Sequence, residues 1–139
     1  MLLKVILDEG AKMPTKAHEA DAGFDIYTPN RVVIRAKDSA VIDTGVHIEI
    51  PEGYVGFLKS KSGLNVKSGI RGEGVIDAGY TGSIVAKLYN DSDKMVIFEE
   101  WQKCIQIVFL PIPFVRLEQV DSFEPTERGD NAFGSSGKF

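Results

Sequence analysis

A chain of 139 residues fits one domain, long enough to bury roughly two thirds of its unfolded surface. Its 43% hydrophobic and 26% charged shares are those of a soluble globular protein, and no run approaches the ~20 apolar residues that a membrane helix needs. A net charge of -4 argues against a surface that coats polyanions such as nucleic acid, so any anionic ligand must be held by a local cluster.

The first predicted element is a strand over Leu2 to Leu7. Lys4, Asp8 and Glu9 interrupt its apolar run, which excludes a secretory signal and points to an intracellular, cytoplasmic location. Short stretches rich in β-branched and aromatic residues then predict strands over Phe24 to Thr28, Arg31 to Arg35, Val46 to Ile50, Tyr54 to Leu58, Ser83 to Tyr89, Met95 to Phe98 and Cys104 to Pro111. Between them lie the turn formers Pro29-Asn30, Pro51-Glu52-Gly53, Gly72-Glu73-Gly74 and Asn90-Asp91-Ser92-Asp93, at the intervals of a sandwich or barrel. One short helix is expected, over Leu64 to Ser68. Cys104, the only cysteine, sits in an apolar run and reads as buried packing, with no disulfide available. From Ser122 onward Gly129, Gly134 and Gly137 stand among Asp, Asn and Ser, with Phe133 and Phe139 as the apolar anchors of its glycine-rich end. The expected organisation is therefore a β domain over 1–121 and a mobile tail over 122–139.

Four stretches carry chemistry. In Gly72 to Gly82, glycines bracket Val75, Ile76, Asp77 and Tyr80; they allow a ligand to approach the backbone while the apolar pair anchors a hairpin and Asp77 is held rigidly. The same residues would equally make a tight hairpin whose aspartate stabilises a turn. Arg128 to Lys138 combines a bidentate anion ligand, glycine-freed amides, the hydroxyls of Ser135 and Ser136 and the flat ring of Phe133. These are parts for wrapping a nucleoside triphosphate, or a plain disordered terminus. Gly129 and Gly134 have P-loop spacing, but Ser135 replaces the lysine and no strand-to-helix context surrounds them, so a P-loop is rejected. Lys59 to Leu64 places a hydroxyl and helix N-cap at Ser62, with free N–H groups and lysines for phosphate oxygens. Asp25, at the entry to a strand, offers oxygen to a hard cation or its waters. His18, His47 and Cys104 lack zinc spacing, no Ser or Cys has a histidine in a base context, and Trp101 reads as packing.

In this order the stretches resemble the trimeric dUTPase family over about residues 20–137. Ala22-Gly23-Phe24-Asp25 looks like its first motif, Lys61-Ser62-Gly63-Leu64 its second, and Gly74-Val75-Ile76-Asp77 with Tyr80 and Gly82 its third. Gln106 marks the fourth, and Arg128-Gly129 with Phe133-Gly134-Ser135-Ser136-Gly137 the fifth. The resemblance implies a jelly-roll-like all-β fold and a homotrimer with shared active sites, each closed by a C-terminal tail. It also implies hydrolysis of dUTP to dUMP and pyrophosphate, which keeps uracil out of DNA and supplies dUMP for thymidylate synthesis. On that pattern Asp77 is the base for the water attacking the α-phosphorus, and Tyr80 packs beneath the deoxyribose. The backbone from Gly74 through Val75 and Ile76 to Tyr80 bonds uracil. Lys61, Ser62, Gly63 and Gln106 contact phosphates, and Arg128 grips the γ-phosphate. Phe133 stacks on uracil, Gly134, Ser135 and Ser136 complete the cage, and Asp25 orders water around Mg2+.

Two departures stand out. Lys61 replaces the usual arginine, keeping the charge without the planar fork. Trp101-Gln102-Lys103-Cys104-Ile105-Gln106 keeps only the basic residue, the apolar pair and the glutamine of the fourth motif. Two rivals share the pocket: dCTP deaminase, which lacks its catalytic glutamate and Arg-Ser-Ser stretch here, and a nucleotide-sensing protein that controls a regulatory protein partner.

Overall fold

A computed structural model describes residues 1–139. In chain order its elements are β1 (Val5–Leu7), β2 (Gly23–Tyr27), β3 (Val32–Ile34), β4 (Ser39–Asp43), β5 (Val46–Ile48), β6 (Tyr54–Lys59), α1 (Ser62–Ser68), β7 (Ile70–Arg71), β8 (Glu73–Ile76), β9 (Val85–Asn90), β10 (Val96–Phe98) and β11 (Lys103–Pro111). The order β2-β11-β6-β8 makes a four-stranded antiparallel sheet, and β4-β9-β7 a three-stranded one; β1 pairs with β5 and β10 with β3. The fold is all-β and jelly-roll-like. Of the two expected forms it realises the sandwich, because the sheets stay open rather than closing into a barrel. No helix is long and apolar enough to cross a membrane.

Inward residues of both main sheets share one core. Ile26, Leu58, Ile105 and Ile107 of the larger sheet belong to the same buried cluster as Ile42, Ala86 and Leu88 of the smaller. Phe98 and Ile105 are wholly buried, and Cys104 is too, with its thiol pushed up to about 12 by burial. That protonated thiol is inert packing, as its apolar run implied.

Period-two alternation gives the larger sheet a polar outer row: Asp25, Gln106, Lys59 and Glu73 lie side by side across β2, β11, β6 and β8. One irregularity extends that row. Between Lys103 and Ile105 the register against β2 shifts, leaving Cys104 as an extra residue. Strict alternation would put Lys103 on the core face with Ile105 and Ile107; the bulge turns it to the face of Gln106 and Asp25.

The predicted strands all form with ends that move by one to three residues: β1, β3, β5 and β10 are shorter than expected, β6 and β11 gain Lys59 and Lys103, and β2 and β9 shift to begin at Gly23 and to end at Asn90. Three segments differ from expectation. Ser39–Asp43 is a strand although only Ile42 in it is buried, and Ile70–Arg71 forms a brief pair with β9. Gly72 to Gly82 is not a hairpin: β8 pairs with β6, after which the chain crosses to β9 in the other sheet. The helix begins at Ser62, so Lys61 and not Ser62 holds the N-cap position, and no side chain caps it. Gly69 ends the helix in a left-handed conformation that glycine favours, its N–H reaching Asn65 O and Leu64 O.

Regular structure ends at Pro111, and every residue from Leu110 to Phe139 is exposed. Because Ile105 contributes to the core from the central strand, Ile105→Ala should lower unfolding stability by about 2–5 kcal/mol in chemical denaturation.

Candidate active site

Asp25 is 7% exposed, yet its carboxylate meets two ammonium groups. Lys61 Nζ donates to Oδ1, and Lys103 Nζ lies 3.0 Å from Oδ2. Burial works against the charge, but the hydrogen bonds and attraction of the two lysines prevail and hold the carboxyl below its ordinary value. Gln106, paired across the sheet with Asp25, donates through Nε2 to Ser60 O at 2.9 Å. Its side chain lies directly over Gly23, where a Cβ would overlap Oε1 and oblige the Gln106 amide to shift. Ser60 Oγ ties the segment before α1 to the junction of β7 and β8 by accepting from Gly72 N at 3.0 Å.

These groups open onto a cleft lined by Lys61, Ser62, Gly63, Leu64, Lys67, Ser68, Gln102, Lys103 and Gln106. Three lysines and no acid line it. The first-turn N–H groups of α1 lack a side-chain cap and so remain donors for an anion. The cleft concentrates positive charge and free N–H donors in a protein whose net charge is -4.

A second group sits where β8 ends. Asp77 and Tyr80 bracket a turn closed by Tyr80 N to Asp77 O at 3.2 Å, with Gly79 at φ 84°. Positive φ there is glycine's role in a type II turn. The Tyr80 hydroxyl donates to Ser83 O at 2.8 Å, and the ring lies over Gly82, where a Cβ would come within 2.7 Å of its Cζ. The ring is thus fixed and half-exposed as a flat platform, with the exposed Asp77 carboxylate on the same turn. Gly74 is close-packed on Leu58, while Val75 stays 60% exposed on the edge strand, so the pair Val75-Ile76 anchors β8 less than expected.

The third group is in the tail. Arg128, Ser135 and Ser136 line one shallow polar concavity with Thr126, Glu127 and Asn131. Arg128 Nε donates to Asn131 O at 3.0 Å, and Phe133 beside it is fully exposed. Neither Asp77, Tyr80 nor any tail residue lines the lysine cleft, so one chain carries three partial sites.

The dUTPase family model matches residues 9–137. This chain belongs to the dUTPase family. The deoxyuridine 5'-triphosphate nucleotidohydrolase of Clostridium tetani is 38% identical over 136 residues, 96% of this chain and 94% of the relative. That of Tropheryma whipplei is 36% identical over 137 residues, at the same coverage. Among solved structures, the dUTPase of Staphylococcus bacteriophage 80alpha with dUPNHPP superposes with a TM-score of 0.92, at 35% identity over 99% of each chain. A mutant dUTPase of phage phi11 of S. aureus, described for its coordination of a structural Mg(II) ion, superposes at 0.83, with 33% identity over 90% of this chain and all of its own.

As a dUTPase the chain shows motif residues gathered by three elements, with Lys61, Ser62, Gly63 and Gln106 brought together and Asp77 and Tyr80 apart from them. Lys67, Gln102, Lys103 and Ser60 were not singled out as site residues. Lys103 had a signal, its basic place in the fourth motif, but its approach to Asp25 depends on a bulge that sequence periodicity does not reveal.

The depressed Asp25 carboxyl carries a pH signature. A lowered folded pKa adds stability above the unfolded value, and that stability is lost as pH falls through the folded one. The stability difference between the protein and Asp25→Asn should therefore shrink on acidification between about pH 5 and about pH 2. A difference constant across that window would contradict the ion triad.

Proposed function

We propose that the chain hydrolyses dUTP to dUMP and pyrophosphate, with Asp77 as the base that directs water at the α-phosphorus. The observation that carries this is the turn at the end of β8, which places an exposed carboxylate and a fixed aromatic platform three residues apart. Deoxyribose packed on the Tyr80 ring leaves no space for a 2'-hydroxyl, which rejects UTP. Backbone groups of Gly74, Val75 and Ile76, on the free edge of β8, bond the uracil edge, as a sheet edge readily does. A base at that edge brings the α-phosphorus towards Asp77, whose carboxylate accepts the proton of the attacking water while pyrophosphate leaves.

Lys61, Ser62, Gly63 and the open N–H groups of α1 hold the departing phosphates, and Gln106 reaches the α-phosphate side. Lys67 and Lys103 add positive charge where negative charge develops on the leaving group. From the tail, Arg128 grips the γ-phosphate, Phe133 stacks on uracil, and Gly134, Ser135 and Ser136 close the cage. The separation of the three groups within one chain supports a homotrimer in which each active site combines elements of neighbouring subunits. Full exposure of the apolar tail residues supports its reaching another subunit. The mobile tail over 122–139 acts as the lid of the β domain over 1–121, and we place the reaction in the cytoplasm.

Mg2+ fits in one way. No three His, Cys, Asp or Glu side chains cluster to cage a metal, and both Asp25 oxygens already meet lysines. Each carboxylate oxygen retains acceptor capacity, so Asp25 suits a water-mediated contact to a metal carried by the triphosphate. The ion, when bound, supplies neutralisation of phosphate charge.

A second reading has one observation in its favour: the phage 80alpha dUTPase is described as controlling transfer of virulence genes by a G protein-like mechanism. This chain would then use dUTP binding to govern a protein partner. Pyrophosphate release from dUTP, assayed beside dCTP, UTP and dTTP, separates the readings: binding without release supports the sensor, and ammonia from dCTP the deaminase.

Asp77→Asn should preserve assembly and dUTP binding while lowering turnover about a hundredfold or more; undiminished turnover would refute the assignment. Removing residues 127–139 should leave a folded protein with little activity, as followed by circular dichroism and pyrophosphate release. Loss of the folded signal would make the tail structural instead.

A further inference from the structure

The turn that holds Tyr80 is tied down from behind by a histidine that the proposed reaction does not use. His47, on β5, presents Nδ1 to Thr81 O at 2.7 Å and Nε2 to Asp8 Oδ1 at 3.0 Å. A carbonyl and an ionised carboxylate can only accept, so both ring nitrogens must donate, and a ring that donates from both nitrogens is an imidazolium. A neutral ring keeps one N–H and must give up one of the two bonds.

The segment after Tyr80 is fastened to the corner between β4 and β5 by further hydrogen bonds. Ser83 Oγ donates to Asp43 and accepts from Gly45 N at 3.0 Å. Ile84 N donates to Val46 O at 2.8 Å, and Ile84 O accepts from Thr44 Oγ1 at 2.6 Å. Three of these ties involve no titrating group, and the fourth uses Asp43, whose carboxyl the Ser83 and Gly45 hydrogen bonds hold below its ordinary value. His47 is therefore the one fastening that changes protonation near neutral pH. The charged groups facing it are Asp8 from the end of β1 and Asp43 from the end of β4; further along, Lys4 of the segment before β1 is paired with Glu49 beyond β5. No base opposes its charge. The Thr81 carbonyl first, and then Asp8, raise its pKa above the ordinary histidine value.

We propose that His47, held as an imidazolium between Asp8 and Thr81, is a positioning residue that fixes the Tyr80 platform and thereby sharpens discrimination between deoxyribonucleoside and ribonucleoside triphosphates. The proposal rests on the assignment of Tyr80 to the sugar. A neutral ring that keeps its N–H on the Asp8 carboxylate loses the Thr81 bond; that frees the carbonyl of the residue next to Tyr80, and a looser ring admits a 2'-hydroxyl. Discrimination falls as pH rises, because the folded-state protonation that sustains the clamp is complete at low pH and is lost through His47's own titration.

The test measures kcat/KM for dUTP and for UTP from about pH 6 to about pH 9, a range that spans histidine titration. The preference for dUTP should drop roughly threefold to tenfold across one step, the scale of a single lost hydrogen bond. His47→Ala should show the reduced preference at every pH with no step. His47→Gln, with a single donor nitrogen in place of two and no charge, should be flat and intermediate, and Asp8→Asn should move the step to lower pH. Proton NMR of the unmodified protein supplies a readout independent of turnover, with only two histidines to resolve. The Tyr80 and Gly82 amide signals should follow the His47 titration. A pH-independent preference, a step that survives His47→Ala, or Tyr80 and Gly82 signals indifferent to His47 would overturn the clamp. Absence of any dUTP hydrolysis would instead overturn the activity assigned to the chain, leaving the NMR result to decide the clamp.

Discussion

One extra residue in the central strand organises the polar side of this molecule. β11 is bonded to β2 on one edge and β6 on the other, and it must satisfy two faces. Ile105 and Ile107 give it the core, and Gln106 between them gives it the outer row. Without the bulge at Cys104, Lys103 would point among isoleucines, where an unpaired ammonium is strongly disfavoured. With it, Lys103 reaches Asp25 from one side as Lys61 reaches it from the other, and Cys104 fills the core in its place. A single buried carboxylate then holds two lysines at the mouth of a cleft. Those lysines need no other acid nearby, so the cleft keeps its attraction for phosphate.

The same economy accounts for an anion site in an acidic protein. Long-range charge works against triphosphate binding, and only groups within a few ångströms can reverse it. Lys61, Lys67, Lys103 and the uncapped start of α1 are concentrated in one place to do so. Away from that cleft lie a turn with carboxylate and ring at a sheet edge, and an exposed tail of successive turns with arginine, serines and phenylalanine. The parts lie apart within one chain: the turn is closed by its own hydrogen bond, and the tail buries nothing.

Much of this was legible in the residues. Strands with β-branched alternation and flanking turn formers, such as Tyr54–Lys59 and Lys103–Pro111, announce themselves because packing and propensity agree there. The glycine-bracketed Asp77 and the Arg-Gly and Gly-Ser-Ser-Gly pattern of the tail are legible through the family's motif order. What escaped has physical reasons. Ser39–Asp43 carries a single buried side chain, so it has little pattern to read; its pairing with β9 supplies the order. Gly72 to Gly82 has the composition of a hairpin, but Ile84 is drawn into the core beside β5 and pulls the chain to the other sheet. Lys103, His47 and Ser60 act through contacts between residues distant in sequence, which periodicity cannot report.

The roles assigned to the turn, the cleft and the tail all depend on which phosphorus the water attacks. Hydrolysis of dUTP in 18O-labelled water, followed by mass spectrometry of both products, tests it most directly. Water delivered by Asp77 to the α-phosphorus places the label in dUMP and leaves pyrophosphate unlabelled. Label found in pyrophosphate would mean attack at the β-phosphorus, and the geometry described for the turn, the cleft and the tail would have been assigned to the wrong bond.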